Sequence, residues 1–206
     1  MTLDPQTFYE RARQISSADG RLPKPSAAEW DIFPFEYDSL VTKRLEPPVL
    51  PEPPRRGEDP SECWRCQNQQ DGVVWRNDRW LLVRLAEPIG LPFLAMVMPR
   101  EHLDLGDLDD AAAAELGLIV VRLDRAVRAL GGIGRVHVNK WGDGGAHLHV
   151  FVIARPEGLL QLRGSELALW EEMLPRYPQD LVDDGLECVA ADLAGWDGVA
   201  LPRESW

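Results

Sequence analysis

Hydrophobic and polar positions change their period several times along this chain, and each change marks an element. Residues 73–76 and 80–85 are short apolar runs bounded by the turn pairs Asp71-Gly72 and Asn77-Asp78, the pattern of two paired strands. Residues 91–98 (LPFLAMVM) form an apolar run of buried-strand length that Pro99 ends. The segment 109–130 (DDAAAAELGLIVVRLDRAVRAL) has apolar positions at helical spacing, acidic residues at its start and Gly131-Gly132 after its end, so it predicts a long helix. Residues 134–140 and 147–154 read as two further strands, joined by the turn-rich 141–146 (WGDGGA). A second helix is expected over 164–174. Strands, then a helix, then strands predict an α+β fold with a largely antiparallel sheet and one main helix.

The ends of the chain read differently. Residues 5–17 suit a short amphipathic helix with Pro5 in its first turn. Residues 45–60 hold six prolines in sixteen positions, which excludes regular helix or central strand and predicts an extended linker. Three regions follow: an N-terminal arm and linker over 1–60, a central domain over 61–158, and a C-terminal helical extension over 159–206. Trp196 and Trp206 lie in a tail that the pattern does not place, and Cys188, after Glu187 in an expected helix, is expected to be a buried free thiol.

Composition narrows the function classes. The 206 residues are 45% hydrophobic and 27% charged, an ordinary globular balance. Net charge is −12, which disfavours a nucleic-acid polymer as partner while leaving room for a small anion held by local arginines or backbone N–H groups. No stretch of eighteen apolar residues is present, and the start MTLDPQTFYERARQ lacks the basic and apolar segments of a signal peptide, so a cytoplasmic protein without membrane association is expected.

The candidate chemistry rests on three cysteines and four histidines. Cys63-Trp-Arg-Cys66 is half a zinc site; with no second such pair, histidines must complete it, from among His102, His137, His147 and His149. A reduced thiol pair or a redox motif are the alternatives, the latter without the βαβ pattern such motifs sit in. His147 and His149 alternate with Leu148 and Val150, so a strand there turns both imidazoles to one face and the aliphatics to the core. Such a pair can give both rings to one open, catalytic zinc, or one to a metal and one to other work. Gly144-Gly145 just before them suits bare backbone around an anion. His137 alternates with Val136 and Val138 as a sheet-face residue. Lys140 and Arg163 read as solvated charges, and Trp141 as a lid, core or base-stacking residue.

Pro99-Arg-Glu-His102, the helix after it, Val138-Asn139-Lys140, and Gly144-Gly-Ala-His147-Leu-His149-Val-Phe-Val-Ile153 together resemble the histidine-triad (HIT) superfamily. The signature there is three histidines separated by single apolar residues, often with an upstream Cys-x-x-Cys. The likeness runs in order from about Cys63 to Pro156, and the Asn-Lys stretch and incomplete triad are similar to the galactose-1-phosphate uridylyltransferase branch. The resemblance implies a structural zinc on Cys63, Cys66, His102 and His147. It also implies a nucleophile at His149 that forms a covalent nucleotidyl-histidine, making the chain a nucleotidyl hydrolase or transferase. Asn139, Gly144, Gly145, Ala146, Phe151 and Arg155 are then the expected substrate-binding residues, the ligand a nucleotide or other phosphate-bearing small molecule, and a homodimer the expected assembly. Two positions depart from the family: Phe151 stands where the third histidine would be, and Ala86, beside Glu87, where an acidic residue holds the ribose. A binding module with weak or no catalysis is the alternative, and a hydrolase with an open zinc on His102, His147 and His149 the third reading.

Overall fold

A computed structural model describes residues 47–206 and, before them, residues 10, 13–21, 23, 33, 35 and 40–42. The chain divides into two compact units, Met1–Pro54 and Arg55–Trp206. Of the helix expected over 5–17, residues 10, 13 and 14 are helical and 15–17 are not, while 5–9, 11 and 12 lie outside the described residues. A local ion pair joins Arg21 to Asp19 (2.8 Å), and the Arg21 guanidinium also donates to the Thr42 carbonyl. Residues 47–59 of the proline-rich stretch carry neither helix nor ladder strand, as six prolines require, while 45 and 46 lie outside the described residues.

The second unit is built on one antiparallel sheet. Its strands are β1 (Val73–Arg76), β2 (Trp80–Arg84), β3 (Phe93–Pro99), β4 (Ile133–Asn139), β5 (Val150–Pro156) and β6 (Val199–Ala200), in the order β4-β5-β3-β2-β1-β6. Helices α1 (Trp64–Gln67), α2 (Asp110–Ala129), α3 (Leu167–Met173) and α4 (Gln179–Ala194) complete it. The β1–β2 hairpin turns on Asn77, whose Oδ1 accepts from the Arg79 and Trp80 N–H groups. The amide of Asn77 donates to Glu115 on α2 and to Asp197, so one side chain links the hairpin, the main helix and the C-terminal segment.

Helix α2 starts where Asp109 accepts from the Ala112 N–H at 2.7 Å, and stops at Gly131 and Gly132, both with positive φ that side chains other than glycine's resist. Ala112, Ile119, Leu123, Ala126 and Val127 form its buried stripe. They pack with Leu82, Ala95, Val97, Val152 and Ala154 of the sheet and with Leu186, Val189, Ala190 and Leu193 of α4. Two smaller clusters cover the opposite face, one around Val73, Leu81, Val83 and Met98, the other around Leu91, Ile153, Leu162 and Leu167. Among the described residues no helix is long and apolar enough to cross a membrane.

The predicted α+β architecture with its antiparallel sheet and main helix is the observed one, with four corrections. The last strand begins at Val150, not at 147, because the Leu148 N–H leaves the ladder to reach the Leu103 carbonyl at 2.8 Å. The helix expected over 164–174 divides into a 3-10 turn (Gly164–Glu166) and α3. The tail that pattern alone did not place contains α4 and β6, which pairs with β1 and covers that sheet edge. Trp75 Nε1 donates to the Asp197 carbonyl and Trp206 Nε1 to that of Leu201, fixing the segment. Cys188 is exposed rather than buried, since the inward stripe of α4 is Gly185, Leu186, Val189, Ala190 and Leu193.

Because α4 belongs to the central core, Leu186→Ala should cost about 2–5 kcal/mol, the usual range for a fully buried leucine. Urea denaturation measures this directly; an unchanged midpoint would show that the core does not depend on α4.

Candidate functional site

The segment before β1 is wound to present two thiols together. Asp59 accepts from the Ser61 N–H and hydroxyl, Pro60–Glu62 forms a 3-10 turn, and Cys63 caps the single turn of α1 that holds Cys66. Three residues apart on one helical turn, the two side chains share a face. Gly57, at positive φ, lies so close that a Cβ there would stand 3.1 Å from the Cys63 Cα. Between the cysteines, the buried Arg65 donates to the carbonyls of Asn68 and Asp71, tying this knuckle to the turn that starts β1.

Two imidazoles meet these thiols. His102 follows the end of β3 and His147 precedes β5. Cys66 Sγ lies 3.4 Å from His102 Nδ1, Cys63 Sγ 3.5 Å from His147 Nδ1, and Cys66 Sγ 3.7 Å from the same nitrogen. A tetrahedral zinc with sulfur at about 2.3 Å and nitrogen at about 2.05 Å separates S from N by about 3.6 Å. The four donor atoms, all within 4.8 Å of one another, therefore fit that ion. The His147 Nε2–H donates to the Pro99 carbonyl at 2.8 Å, which leaves Nδ1 with its lone pair toward the thiols. Burial, and to a smaller degree the neighbouring His102 and Arg65, lower the His147 pKa despite the Pro99 contact, so the ring is neutral, as a ligand must be. Burial and the adjacent Cys63 push the Cys66 thiol up to about 11, so without a cation Cys66 stays protonated at neutral pH. The donor set is compatible with zinc, and His149 is not among the converging donors.

His149 stands two residues beyond His147 with its ring turned elsewhere. Its Nδ1 contacts the His147 carbonyl at 2.8 Å, which makes Nδ1 the protonated nitrogen and Nε2 the one with a free lone pair. Phe151 meets this ring edge-to-face at 5.5 Å between centroids, and the half-exposed Trp141 stacks obliquely on Phe151 at 5.3 Å. Asn139, the last residue of β4, pairs with Phe151 across the ladder. Gly145 leaves bare backbone beside His149: a Cβ there would meet only its Cε1, at 3.8 Å.

The 141–146 turn is held from outside by residues that sequence reasoning missed. Arg56 forms an isolated bridge with Gly145, its carbonyl accepts from the Ala146 N–H, and its Nε donates to the Gly144 carbonyl. Arg55 donates to the Gly142 carbonyl and pairs with Glu58 and, at 2.6 Å, with Asp104. Lys140 reaches the other Asp104 oxygen at 3.2 Å, so it is a partnered charge rather than a solvated one. Burial alone would raise the Asp104 pKa, but Arg55, the Leu105 N–H and Lys140 outweigh it and hold the carboxyl at about 2. The one available signal was Arg55-Arg56 a few residues before the Cys-x-x-Cys of a strongly acidic chain.

The structure thus gathers Asn139, Gly144, Gly145, Ala146, His149 and Phe151 at one end of β5 beside the four sulfur and nitrogen donors. Arg155 is at the other end, about 20 Å along the strand from His149. It is buried and donates to the Pro156 and Leu159 carbonyls. His137 faces Ile153 across the ladder, half-buried, and burial together with Arg155 keeps its pKa low. Glu87, next to Ala86, is exposed and paired with Arg176.

No family model matches the chain, and no curated protein does. Among solved structures it is similar to a histidine triad protein from Bradyrhizobium japonicum (18% identity, TM-score 0.49, 61% of this chain and 92% of that one). A histidine triad protein from Sinorhizobium meliloti matches at 17% identity and TM-score 0.48, over 61% and 93%. A zinc-bound histidine triad family protein from Mycobacterium smegmatis matches at 20% and 0.44, over 61% and 87%.

Two measurements follow from this geometry. The purified chain should contain equimolar zinc by elemental analysis, and its cobalt form should show strong thiolate-to-metal charge transfer that Cys66→Ser weakens and His149→Ala leaves intact. A cobalt spectrum without thiolate bands would place the metal on histidines alone. Asp104, with its folded pKa depressed, stabilises the fold fully above its unfolded value of about 4. That contribution disappears as pH falls through about 2. The stability gap between wild type and Asp104→Asn, followed by denaturation against pH, should therefore be constant from neutrality to about pH 4 and close below it; a gap that persists at pH 2 would contradict this.

Proposed function

We propose that this chain is a nucleotidyl hydrolase or transferase of histidine-triad type, acting through His149 on a nucleotide or other phosphate-bearing small molecule. One observation carries the reading: His149 has Nδ1 engaged by the His147 carbonyl and its Cε1 against the bare backbone of Gly145. A neutral imidazole held in that tautomer presents Nε2 as a nucleophile at neutral pH. In the first step Nε2 forms a bond to phosphorus while the bond from phosphorus to the leaving group breaks, at oxygen in a polyphosphate or nucleotide sugar and at nitrogen in a phosphoramidate, and the departing atom takes a proton from solvent. In the second, water or another acceptor attacks phosphorus, the N–P bond breaks, and the acceptor's proton is released. The His147 carbonyl supports the positive charge that develops on the ring during the first step, through the Nδ1–H bond. Backbone N–H groups of Gly144 and Gly145 and the Asn139 amide are the donors offered to the charge on the phosphoryl oxygens, the Ala146 N–H being engaged by the Arg56 carbonyl.

Cys63, Cys66, His102 and His147 would hold the zinc, which would serve as a crosslink supporting the His149 backbone. A site with four protein donors offers no open position for a metal-bound water, which distinguishes it from a catalytic zinc.

Phe151 favours a second reading. A phenyl ring stands at 5.5 Å from His149 where an imidazole would donate a hydrogen bond, and losing such a donor costs about a hundredfold in rate or more. A pocket that binds phosphate-bearing ligands with little turnover is the result if the other donors do not compensate.

Intact-mass measurement at neutral pH separates the two. Wild type incubated with nucleoside phosphoramidates, dinucleoside polyphosphates and nucleotide sugars should gain one acid-labile nucleoside monophosphate, and His149→Ala should gain none while keeping its zinc. Binding by calorimetry without adduct or product selects the binding module; equal turnover in both proteins removes His149 from the chemistry.

A further inference from the structure

The backbone at Gly144 and Gly145 is bare on two sides, and each side has a single neighbour. Apart from adjacent residues in the chain, a Cβ at Gly145 would find only His149 Cε1 within 4 Å, and a Cβ at Gly144 only Arg56 Nη2, each at 3.8 Å. An imidazole and a guanidinium therefore border the same two-residue stretch. Arg56 reaches this position through its main chain, since its bridge to Gly145 and its carbonyl bond to the Ala146 N–H fix where the side chain starts. Its Nε is engaged by the Gly144 carbonyl, which aims the planar group along the turn.

Charge separates Arg56 from its neighbours. Arg55 is neutralised by Glu58 and Asp104, and Lys140 by Asp104. Arg56 makes no ion pair among the described residues, and Asp143 in the same turn does not pair with it. Arg56 is thus an exposed arginine without a carboxylate partner at the edge of the glycine turn, in a chain of net charge −12. The free edge of a guanidinium matches two oxygens of a phosphate, and the pairing is stronger than a neutral hydrogen bond.

We propose that Arg56 is a substrate-binding residue that receives the anionic phosphoryl oxygens of the ligand at His149, supplying the polar contact that Phe151 has removed. The site accordingly selects ligands whose phosphate carries a net negative charge over the same nucleoside without it. This rests on the reading of His149 as facing a phosphorus-bearing ligand, and Arg56 takes no part in bond making.

The test is calorimetric titration of the full chain with AMP, GMP, CMP and UMP and with the four matching nucleosides, in wild type, Arg56→Gln and Arg56→Lys. Wild type should prefer at least one monophosphate over its nucleoside. Arg56→Gln should lose roughly ten- to hundredfold in affinity for that monophosphate, the worth of a charge-assisted contact, with nucleoside affinity unchanged. Arg56→Lys should recover a large share of the loss, and salt should weaken monophosphate binding more in wild type than in Arg56→Gln. A monophosphate preference that is the same in wild type and Arg56→Gln overturns the role of Arg56 while the reading of His149 stands. A wild type that does not discriminate phosphate from nucleoside overturns both. Should Arg56→Gln not fold, the Lys variant and the salt dependence of wild type decide: salt-insensitive binding overturns the proposal.

Discussion

Two thiols and two imidazoles brought together, one of each buried and the others half-buried, are an unfavourable arrangement for a polypeptide, and this unit is organised around one. The pair Cys63 and His147 meets across 84 positions of chain, with Cys66 and His102 completing the group. Desolvation pushes the Cys66 thiol up to about 11 and lowers the His147 pKa, so both groups resist charging in this setting. A divalent cation reverses that preference by supplying positive charge to two thiolates at once. The same contacts fix three segments. Arg65 carries the knuckle's position to the Asp71 turn and so to β1, the Pro99 carbonyl carries it to the end of β3, and His147 carries it to the start of β5. His149, two residues on, inherits its orientation from this network through the His147 carbonyl.

Much of this was legible in the sequence because it depends on local period. Alternation found the strands of the sheet; the acidic start, apolar spacing and double-glycine end found α2. The Cys-x-x-Cys and the His-Leu-His pairs were visible as chemistry, and the alternation of Leu148 and Val150 with the histidines put the aliphatics in the core, where both are buried. What escaped depended on contacts distant in sequence. The Leu148 N–H bonds to Leu103 rather than to a ladder partner, which no window of sequence reveals. A helix around Cys188 was expected, but that Gly185, Leu186, Val189, Ala190 and Leu193 form its inward stripe against α2 and the sheet was not, since that face is set by partners distant in sequence. Alternation also assigns a face but not an end: Arg155 lies on β5, yet too far along it to reach His149.

Arg56 illustrates the limit most sharply. By composition it belongs to a linker, and by position to the approach to the Cys63–Cys66 knuckle. Its relation to the glycine turn arises only when residues 56 and 145 are brought side by side. Its neighbour Arg55, identical in type, is neutralised by Glu58 and Asp104 and serves to anchor the turn through the Gly142 carbonyl. One arginine builds the turn and the next borders it, a division that residue type cannot express.

The surroundings of His149 are correspondingly asymmetric. On one side Phe151 and Trp141 form an aromatic stack; on the other, glycine backbone leads to a guanidinium. The aromatic wall offers π surfaces that receive uncharged groups by stacking, whereas the glycine side offers backbone N–H groups and a guanidinium. Phe151 therefore makes the surroundings of His149 two-sided, apolar where its ring meets the imidazole and polar where the glycine turn and Arg56 border it.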